Sequence, residues 1–188
     1  MRITYFGQNA LQIESGHFNL LVDPGISANP LAKSININEL RPDYILLTHA
    51  HGDHTSDVVS IAKQSQATII SNYEICLYYG KEDIPYHPMN HGGKWKFDFG
   101  TVAMVNAVHT SSFPDGTYGG NPCGFVISLA GKTIYIAGDT ALTTDMALIP
   151  KLYPKLDLAI LPIGDNFTMG IEEAIIASDM IQCNNILG

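Results

Sequence analysis

The alternation of apolar and polar residues in the first quarter of the chain is typical of short β-strands. Apolar side chains recur at every second position, and the runs end at turn-forming groups such as Gly7-Gln8-Asn9 and Pro24-Gly25. The pattern therefore predicts four strands, RITYF, ALQIE, FNLLVD and YILLT, at residues 2–6, 10–14, 18–23 and 44–48.

A helix is predicted directly after the fourth strand. The segment TSDVVSIAKQSQ, residues 55–66, places apolar side chains at helical spacing, namely Val58, Val59, Ile61 and Ala62. Acidic and hydroxyl residues precede them, where they suit the positive end of the helix dipole. The helix should therefore begin immediately behind His54.

The rest of the chain mixes strands and helices. We expect a strand at 67–71, a helix near 72–80, strands at 94–99 and 101–109 and a hairpin in 124–140 that bends at Ala130-Gly131-Lys132. They are followed by a helix near 144–153, a strand at 156–163, a helix at 171–182 and the start of a strand at 184–188. Such an order predicts a mixed α/β architecture.

The order of elements in the first half of the chain is repeated in the second half. A run of strands, a polar loop, a helix, a strand and a helix occur in each. We therefore expect one domain spanning residues 1–188, with pseudo-duplicated halves at 1–100 and 101–188 and a last strand that is cut short.

Composition narrows the functional classes. The 188 residues are 46% hydrophobic and 15% charged, as in a folded soluble domain, and the net charge is 10 − 18 = −8 with no basic cluster. Nucleic acid is therefore a disfavoured partner. No signal peptide or membrane-length apolar run is visible, so we expect a cytoplasmic protein. The three cysteines are far apart and are expected to be buried thiols.

A dense cluster of potential metal ligands follows the fourth strand. His49, His51, Asp53 and His54 form H-x-H-x-D-H and include three of the seven histidines in the chain. Residues two apart in an extended segment point the same way, so His49 and His51 can converge on one ion. Asp53 and His54, where the helix opens, suit a second ion. Imidazole and carboxylate ligands favour Zn²⁺, with Mn²⁺, Fe and Ni left open.

Three stretches together resemble the metallo-β-lactamase-fold superfamily: H-x-H-x-D-H behind an apolar strand, YIAGDT at the end of the hairpin, and the early LLVDPG. The further stretches HPMNHGG, GNPCGFVI and LPIGDNFTMG are similar to a bacterial branch of metal-dependent hydrolases related to ascorbate-6-phosphate lactonase. The resemblance implies an α+β fold, an αββα sandwich of two mixed β-sheets flanked by helices, with the metal loops along one edge of the sheets.

The resemblance also implies a set of metal ligands. The first ion would be bound by His49, His51 and His109, the second by Asp53 and His54, and Asp139 would bridge the two. His109 and Asp139 each lie at the end of a predicted strand, where a polar residue enters a loop. The family pattern includes one more histidine after the last strand, and none follows His109 in this sequence. Two explanations are open: the sequence is shortened at its C-terminal end and the histidine lies beyond Gly188, or the second ion lacks this ligand and is bound more weakly.

Asp23 ends the third predicted strand and has two interpretations. Its carboxylate could accept a hydrogen bond from a ligand histidine and so orient the ring, which metal-bound histidines usually require. Alternatively, it caps the turn before Pro24. The sequence leaves both open.

Hydrolysis is the reaction that this ligand set favours. Asp53 would orient a metal-bound hydroxide toward a small ester, lactone or phosphate ester. A phosphodiesterase acting on RNA or cyclic nucleotides is an alternative that the acidic charge disfavours, and a redox or non-catalytic metal-binding protein is another. We expect a small-molecule substrate and no membrane partner, and the sequence leaves homo-oligomer formation open.

Overall fold

The chain folds into two compact units, each built on one six-stranded sheet. The structure is a computed structural model that describes all residues from Met1 to Gly188. Unit 1 comprises residues 1–90 and 111–120, and unit 2 comprises residues 91–110 and 121–188. The prediction of one domain with duplicated halves stays a prediction.

Unit 1 contains six strands and three α-helices. The strands are β1 (Arg2–Gly7), β2 (Ala10–Ser15), β3 (Phe18–Val22), β4 (Tyr44–Leu46), β5 (Thr68–Asn72) and β6 (Tyr86–Met89). The helices are α1 (Gly52–Thr55), α2 (Val58–Ser65) and α3 (Tyr73–Gly80), with short 3-10 helices at Pro30–Ala32 and Ile37–Glu39. Strands β1 to β3 pair antiparallel, and β3 to β6 pair parallel.

The core of unit 1 lies between its sheet and its helices. Leu21, Ile45 and Ile69 are direct neighbours on β3, β4 and β5, and all three are buried. Ile61 of α2 and Ile75 of α3 belong to the same apolar cluster. Full burial of such a side chain contributes about 1.5–3 kcal/mol. The parallel strands are thereby fixed, and with them the loop that follows β4.

Unit 2 contains the other six strands and two α-helices. The strands are β7 (Lys94–Phe97), β8 (Gly100–Asn106), β9 (Cys123–Leu129), β10 (Lys132–Ile136), β11 (Leu158–Ile160) and β12 (Ile186–Leu187). The helices are α4 (Ile149–Leu152) and α5 (Ile171–Ile181), and a 3-10 helix spans Thr144–Leu148. Strands β7 to β10 pair antiparallel, whereas β10, β11 and β12 pair parallel.

The predicted hairpin at the centre of unit 2 is confirmed. Ala130 and Gly131 join β9 to β10 with φ angles of 48° and 74°. Two consecutive positive φ angles are what a two-residue turn of type I′ requires, and its twist suits the flanking strands. Val126 and Tyr135 face each other in this hairpin, and burial raises the pKa of the Tyr135 phenol.

The structure of unit 1 differs from the prediction in one helix and in one additional strand. The helix expected over residues 55–66 is broken into α1 and α2, because the Asp57 N–H donates to the Pro24 carbonyl at 3.1 Å rather than to a carbonyl of its own helix. Strand β6 was not among the predicted elements, and it contains Pro88. It is an edge strand of its sheet, where a proline is tolerated.

The cysteine prediction is confirmed. Cys76, Cys123 and Cys183 are free and buried, and burial raises the pKa of the Cys76 thiol to about 12. No helix of the structure combines the length and the apolar character that a bilayer crossing demands.

Candidate metal centre

The loop between β4 and α1 carries four of the predicted ligands. His49 and His51 lie in its extended part, and Asp53 and His54 lie within the single turn of α1. His49 Nε2 is 3.0 Å from His51 Nδ1, and the two rings meet edge to face. The His49 ring also lies against that of His54, with centroids 4.1 Å apart. Unit 1 therefore brings the three histidines into one cluster.

The buried carboxylate of Asp23 contacts His54 and the backbone and side chain of Thr48 beside this cluster. Asp23 has a φ of 40° and is 1% exposed. Its Oδ1 accepts the Thr48 N–H at 2.8 Å. Its Oδ2 accepts from Asn9 Nδ2 at 2.7 Å and from Thr48 Oγ1 at 2.5 Å, and lies 3.0 Å from His54 Nδ1. Such a carboxylate fixes the orientation of the ring that it contacts.

The hydrogen-bond network assigns the tautomers of two rings. A carboxylate only accepts, so the single hydroxyl proton of Thr48 goes to Asp23. Thr48 Oγ1 must then accept from His49 Nδ1, which lies 3.0 Å away. His54 Nδ1 likewise donates to Asp23. In the neutral rings, the lone pair of both His49 and His54 therefore lies on Nε2, the atom that binds a metal ion.

This donor set fits a divalent metal ion. His49 Nε2 and His51 Nδ1 lie 3.0 Å apart. Two lone pairs at this distance repel each other unless a proton or a cation lies between them. Two nitrogens that each bind a tetrahedral Zn²⁺ at about 2.0–2.1 Å are roughly 3.4 Å apart, which is close to the observed spacing. The assignment of these side chains as ligands stays a prediction, and their chemistry is compatible with it.

Asp53 differs from the histidines in being accessible. Its side chain is 54% exposed, and its Oδ2 lies 3.7 Å from His54 Nε2. Gln8, at the turn between β1 and β2, donates from Nε2 to the same oxygen at 2.8 Å. The carboxylate is therefore held at Oδ2.

The segment behind β3 packs tightly against α1. A Cβ at Gly25 would lie 1.6 Å from the Asp53 carbonyl oxygen, so the two backbones are in contact at this point. Two residues on, the Ser27 N–H and hydroxyl donate to the carboxylate of Asp57, which is buried. These contacts fix the turn that carries Asp53 and His54.

Substitution of Gly25 by alanine is expected to displace this turn. The new methyl group cannot coexist with the Asp53 carbonyl, and overpacking of this kind costs about 1–3 kcal/mol or more. We expect a lower denaturation midpoint and a lower metal content after purification. Gly164→Ala is the control, since a Cβ there would meet Thr168 Oγ1 at an ordinary 3.4 Å. Equal stability and metal content in the two variants would show that the contact has no influence on the site.

Unit 2 brings His109 and Asp139 together. His109 Nε2 is 3.7 Å from Asp139 Oδ2. Their loops are joined because the Val108 N–H donates to Thr140 Oγ1 at 2.9 Å and the Ala141 N–H donates to the Val108 carbonyl at 3.0 Å. The pairing supports a common role for the two residues.

The other three histidines have ordinary structural settings. His17 is exposed at the turn between β2 and β3. His87 lies in β6, and partial burial lowers its pKa. His91 is half-buried, with Nε2 2.8 Å from the Pro122 carbonyl oxygen.

Sequence reasoning missed the contacts that four residues make to the cluster or its loop. Gln8 and Asn9 reach the carboxylates of Asp53 and Asp23, and Thr48 links Asp23 to His49. Ser111 accepts the N–H of Ala50, between the two extended histidines, at 3.2 Å. The adjacent polar pair Gln8-Asn9 in a hairpin turn was the one local signal, and it indicated only a turn.

Comparison with known proteins identifies the family and the fold of the chain. The profile of a family described as the beta-lactamase superfamily domain matches residues 18–186. A UPF0173 metal-dependent hydrolase of Flavobacterium johnsoniae is 65% identical over all of this chain and 83% of its own length, and one of Christiangramia forsetii is 60% identical with the same coverage. The solved structure of Igni18, a metallo hydrolase from Ignicoccus hospitalis, superposes with a TM-score of 0.87 at 33% identity, over 98% of this chain and 79% of that one.

The family profile and the relatives match most of the chain, and the solved structure matches its fold. The metallo-β-lactamase fold, with two mixed six-stranded sheets flanked by a small number of helices, is therefore confirmed. The chain belongs to the beta-lactamase superfamily, within its UPF0173 metal-dependent hydrolases.

Proposed function

We propose that the chain hydrolyses a small ester, lactone or phosphate ester with the help of two divalent ions, Zn²⁺ or Mn²⁺. The observation that carries this proposal is the tautomer assignment: Asp23 and Thr48 hold His49 and His54 so that each Nε2 carries a lone pair. Each ring has one such partner at Nδ1, and histidines that bind a metal ion almost always donate their other ring N–H to a partner of this kind.

The residues that would hold the ions follow from the donor set and the family pattern. His49 and His51 would bind the first ion, and Asp53 and His54 the second. The family pattern assigns His109 to the first ion and Asp139 to a bridging position, and both assignments are part of the proposal. Bound there, a divalent ion lowers the pKa of water toward about 7 and polarises the bond that is cleaved.

Asp53 is the residue that we assign to the attacking water. Gln8 holds its Oδ2, so Oδ1 is the oxygen that would accept a hydrogen bond from the attacking water or hydroxide and so orient it. The accessibility of Asp53 is consistent with a group that meets substrate. His54 is fully buried, and Asp23 fixes its ring through Nδ1. We therefore assign it to holding the second ion and not to proton transfer.

The partners proposed for the chain follow from its charge. The net charge of −8 favours a small substrate over RNA, so a phosphodiesterase acting on nucleic acid is the weaker alternative. A membrane partner is not part of the proposal, and a cytoplasmic location and the oligomeric state stay predictions.

A substrate panel tests the proposed function. Protein purified without added metal is analysed for metal content and then assayed with lactones, carboxylic esters, phosphomonoesters and phosphodiesters in Zn²⁺ and Mn²⁺. We expect about two ions per chain at saturation, and hydrolysis that chelation removes and metal restores. Bound metal without turnover of any probe would favour a metal-binding protein, and iron with a redox-active spectrum would favour oxygen chemistry.

A further inference from the structure

A cavity of about 230 Å³ lies within unit 2, between the sheet and the helical segment that includes α4. Val105 of β8 and Tyr135 of β10 line it from the sheet, and Met146, Ile149 and Tyr153 line it from the helical side. These five side chains belong to one apolar cluster, so they meet on one face of the sheet. We call this space the Tyr135 cavity. None of the predicted metal ligands lines it.

The Tyr135 cavity is open to solvent beside α4. Leu148 and Leu152 line it, and their side chains are 47% and 65% exposed. The two residues are four positions apart, which places them on the same side of a helical turn. A molecule can therefore enter from this side, and its binding would cover two large apolar side chains that are now in contact with water.

The hydroxyl of Tyr135 is a buried polar group in this cavity. Tyr135 is fully buried, and no other residue of the chain forms a hydrogen bond with its hydroxyl. Burial raises the pKa of the phenol, so the O–H group is retained at neutral pH and can donate. Buried polar groups in folded proteins nearly always have a hydrogen-bond partner. The hydroxyl therefore favours a ligand that brings an acceptor atom.

The polar side chains at the edge of the cavity are already paired. Asn106 Nδ2 donates to Asp145 Oδ2 at 2.8 Å, and both residues are exposed. His91 Nε2 lies 2.8 Å from the Pro122 carbonyl oxygen. An anion would meet the Asp145 carboxylate at the edge and apolar side chains inside, and both contacts are unfavourable for it. The Tyr135 cavity therefore favours an uncharged ligand.

The size and the lining of the cavity favour an aromatic ring. An apolar cavity of roughly 150 Å³ is large enough to hold benzene. The Tyr135 cavity is larger, so it can hold a benzene ring together with a short substituent. The Met146 thioether and the Tyr153 ring line it, and both groups make favourable contacts with aromatic rings.

We propose that unit 2 binds a small, neutral aromatic molecule in the Tyr135 cavity, with one acceptor atom of the ligand receiving a hydrogen bond from the Tyr135 hydroxyl. The ring of the ligand lies against Met146, Ile149 and Tyr153. This inference goes beyond the proposed hydrolysis and does not depend on it, because no predicted metal ligand lines the cavity.

Three probes of similar size test the chemistry of the ligand. Acetophenone carries a carbonyl group on a benzene ring, α-methylstyrene has a CH₂ group in place of the carbonyl oxygen, and benzoate is an anion. Calorimetry with the full chain at neutral pH measures each Kd. We expect a Kd for acetophenone below about 1 mM, the scale for a ligand of this size. Benzoate should bind at least about tenfold more weakly.

Tyr135→Phe tests the hydrogen bond, because it removes the hydroxyl and keeps the ring. Binding of acetophenone should weaken by about three- to tenfold, the scale of one hydrogen bond, while binding of α-methylstyrene should not weaken. The variant should unfold at no lower denaturant concentration than the wild type, since the hydroxyl has no partner in the protein. Tyr79→Phe is the matched control: it makes the same change at a buried tyrosine of unit 1, and acetophenone binding should be unchanged.

The position of the ligand is tested by nuclear magnetic resonance with isotope-labelled methionine methyl groups. The Met146 resonance, assigned from its absence in Met146→Leu, should shift when acetophenone is added. Lack of binding at millimolar acetophenone, or binding without a shift at Met146, would overturn the proposal. Equal acetophenone binding by wild type and Tyr135→Phe would also overturn it, as would tighter binding of benzoate than of acetophenone.

Discussion

Replacing His51 with alanine is expected to remove nearly all bound metal and all hydrolytic activity. His51 Nδ1 lies 3.0 Å from His49 Nε2, so its loss takes away one of the two nitrogens that face each other in the extended loop. Loss of a group that merely orients a ligand lowers metal affinity by about 10–100-fold, and loss of a ligand itself should exceed that range. Metal content after dialysis and the rate with the best probe of the panel measure the effect.

The fold should survive this substitution. His51 precedes α1, and its side chain does not cap that helix. We therefore expect the metal-free variant to unfold at nearly the same denaturant concentration as the metal-free wild type. His17→Ala is the matched control, because it makes the same chemical change at an exposed turn. Retention of metal and activity by His51→Ala would contradict the proposed site.

Replacing Asp23 with asparagine is expected to reduce both stability and metal affinity. Oδ1 accepts one hydrogen bond and Oδ2 faces three donors, so an amide in either orientation places its NH₂ group against at least one N–H or O–H donor. Disrupting a buried charged network costs about 3–5 kcal/mol. His54 also loses the acceptor that sets its tautomer, so metal affinity should fall by about 10–100-fold.

Two measurements separate these effects of Asp23→Asn. Denaturant unfolding of metal-free protein reports the loss of the network, and competition with a chelator reports the affinity of the protein that remains folded. Asp43→Asn is the control, since Asp43 is exposed although its carboxylate also accepts a backbone N–H, that of Asn19. Unaltered unfolding and unaltered metal affinity would mean that Asp23 caps a turn and does nothing more.

Most secondary structure was predictable because its causes are local. Alternation of side chains identified β1, β2 and β3, and the tight Ala130-Gly131 turn identified the β9–β10 hairpin. The errors occurred where a distant residue intervened. The Pro24 carbonyl takes the Asp57 N–H and breaks a helix, and Pro88 is accepted in a strand because that strand lies at a sheet edge.

The candidate site was likewise predictable from the sequence where its causes are local, and unpredictable where distant residues take part. The sequence by itself determined that three histidines and an aspartate lie together behind an apolar strand, because covalent geometry keeps residues two apart in an extended chain on one side. Only the tertiary structure decided which atoms of those rings carry lone pairs. That depends on Asp23, which precedes His54 by 31 residues and meets it because β3 and β4 pair in parallel. Gln8 and Ser111 reach the loop across still longer separations, where side-chain spacing carries no information.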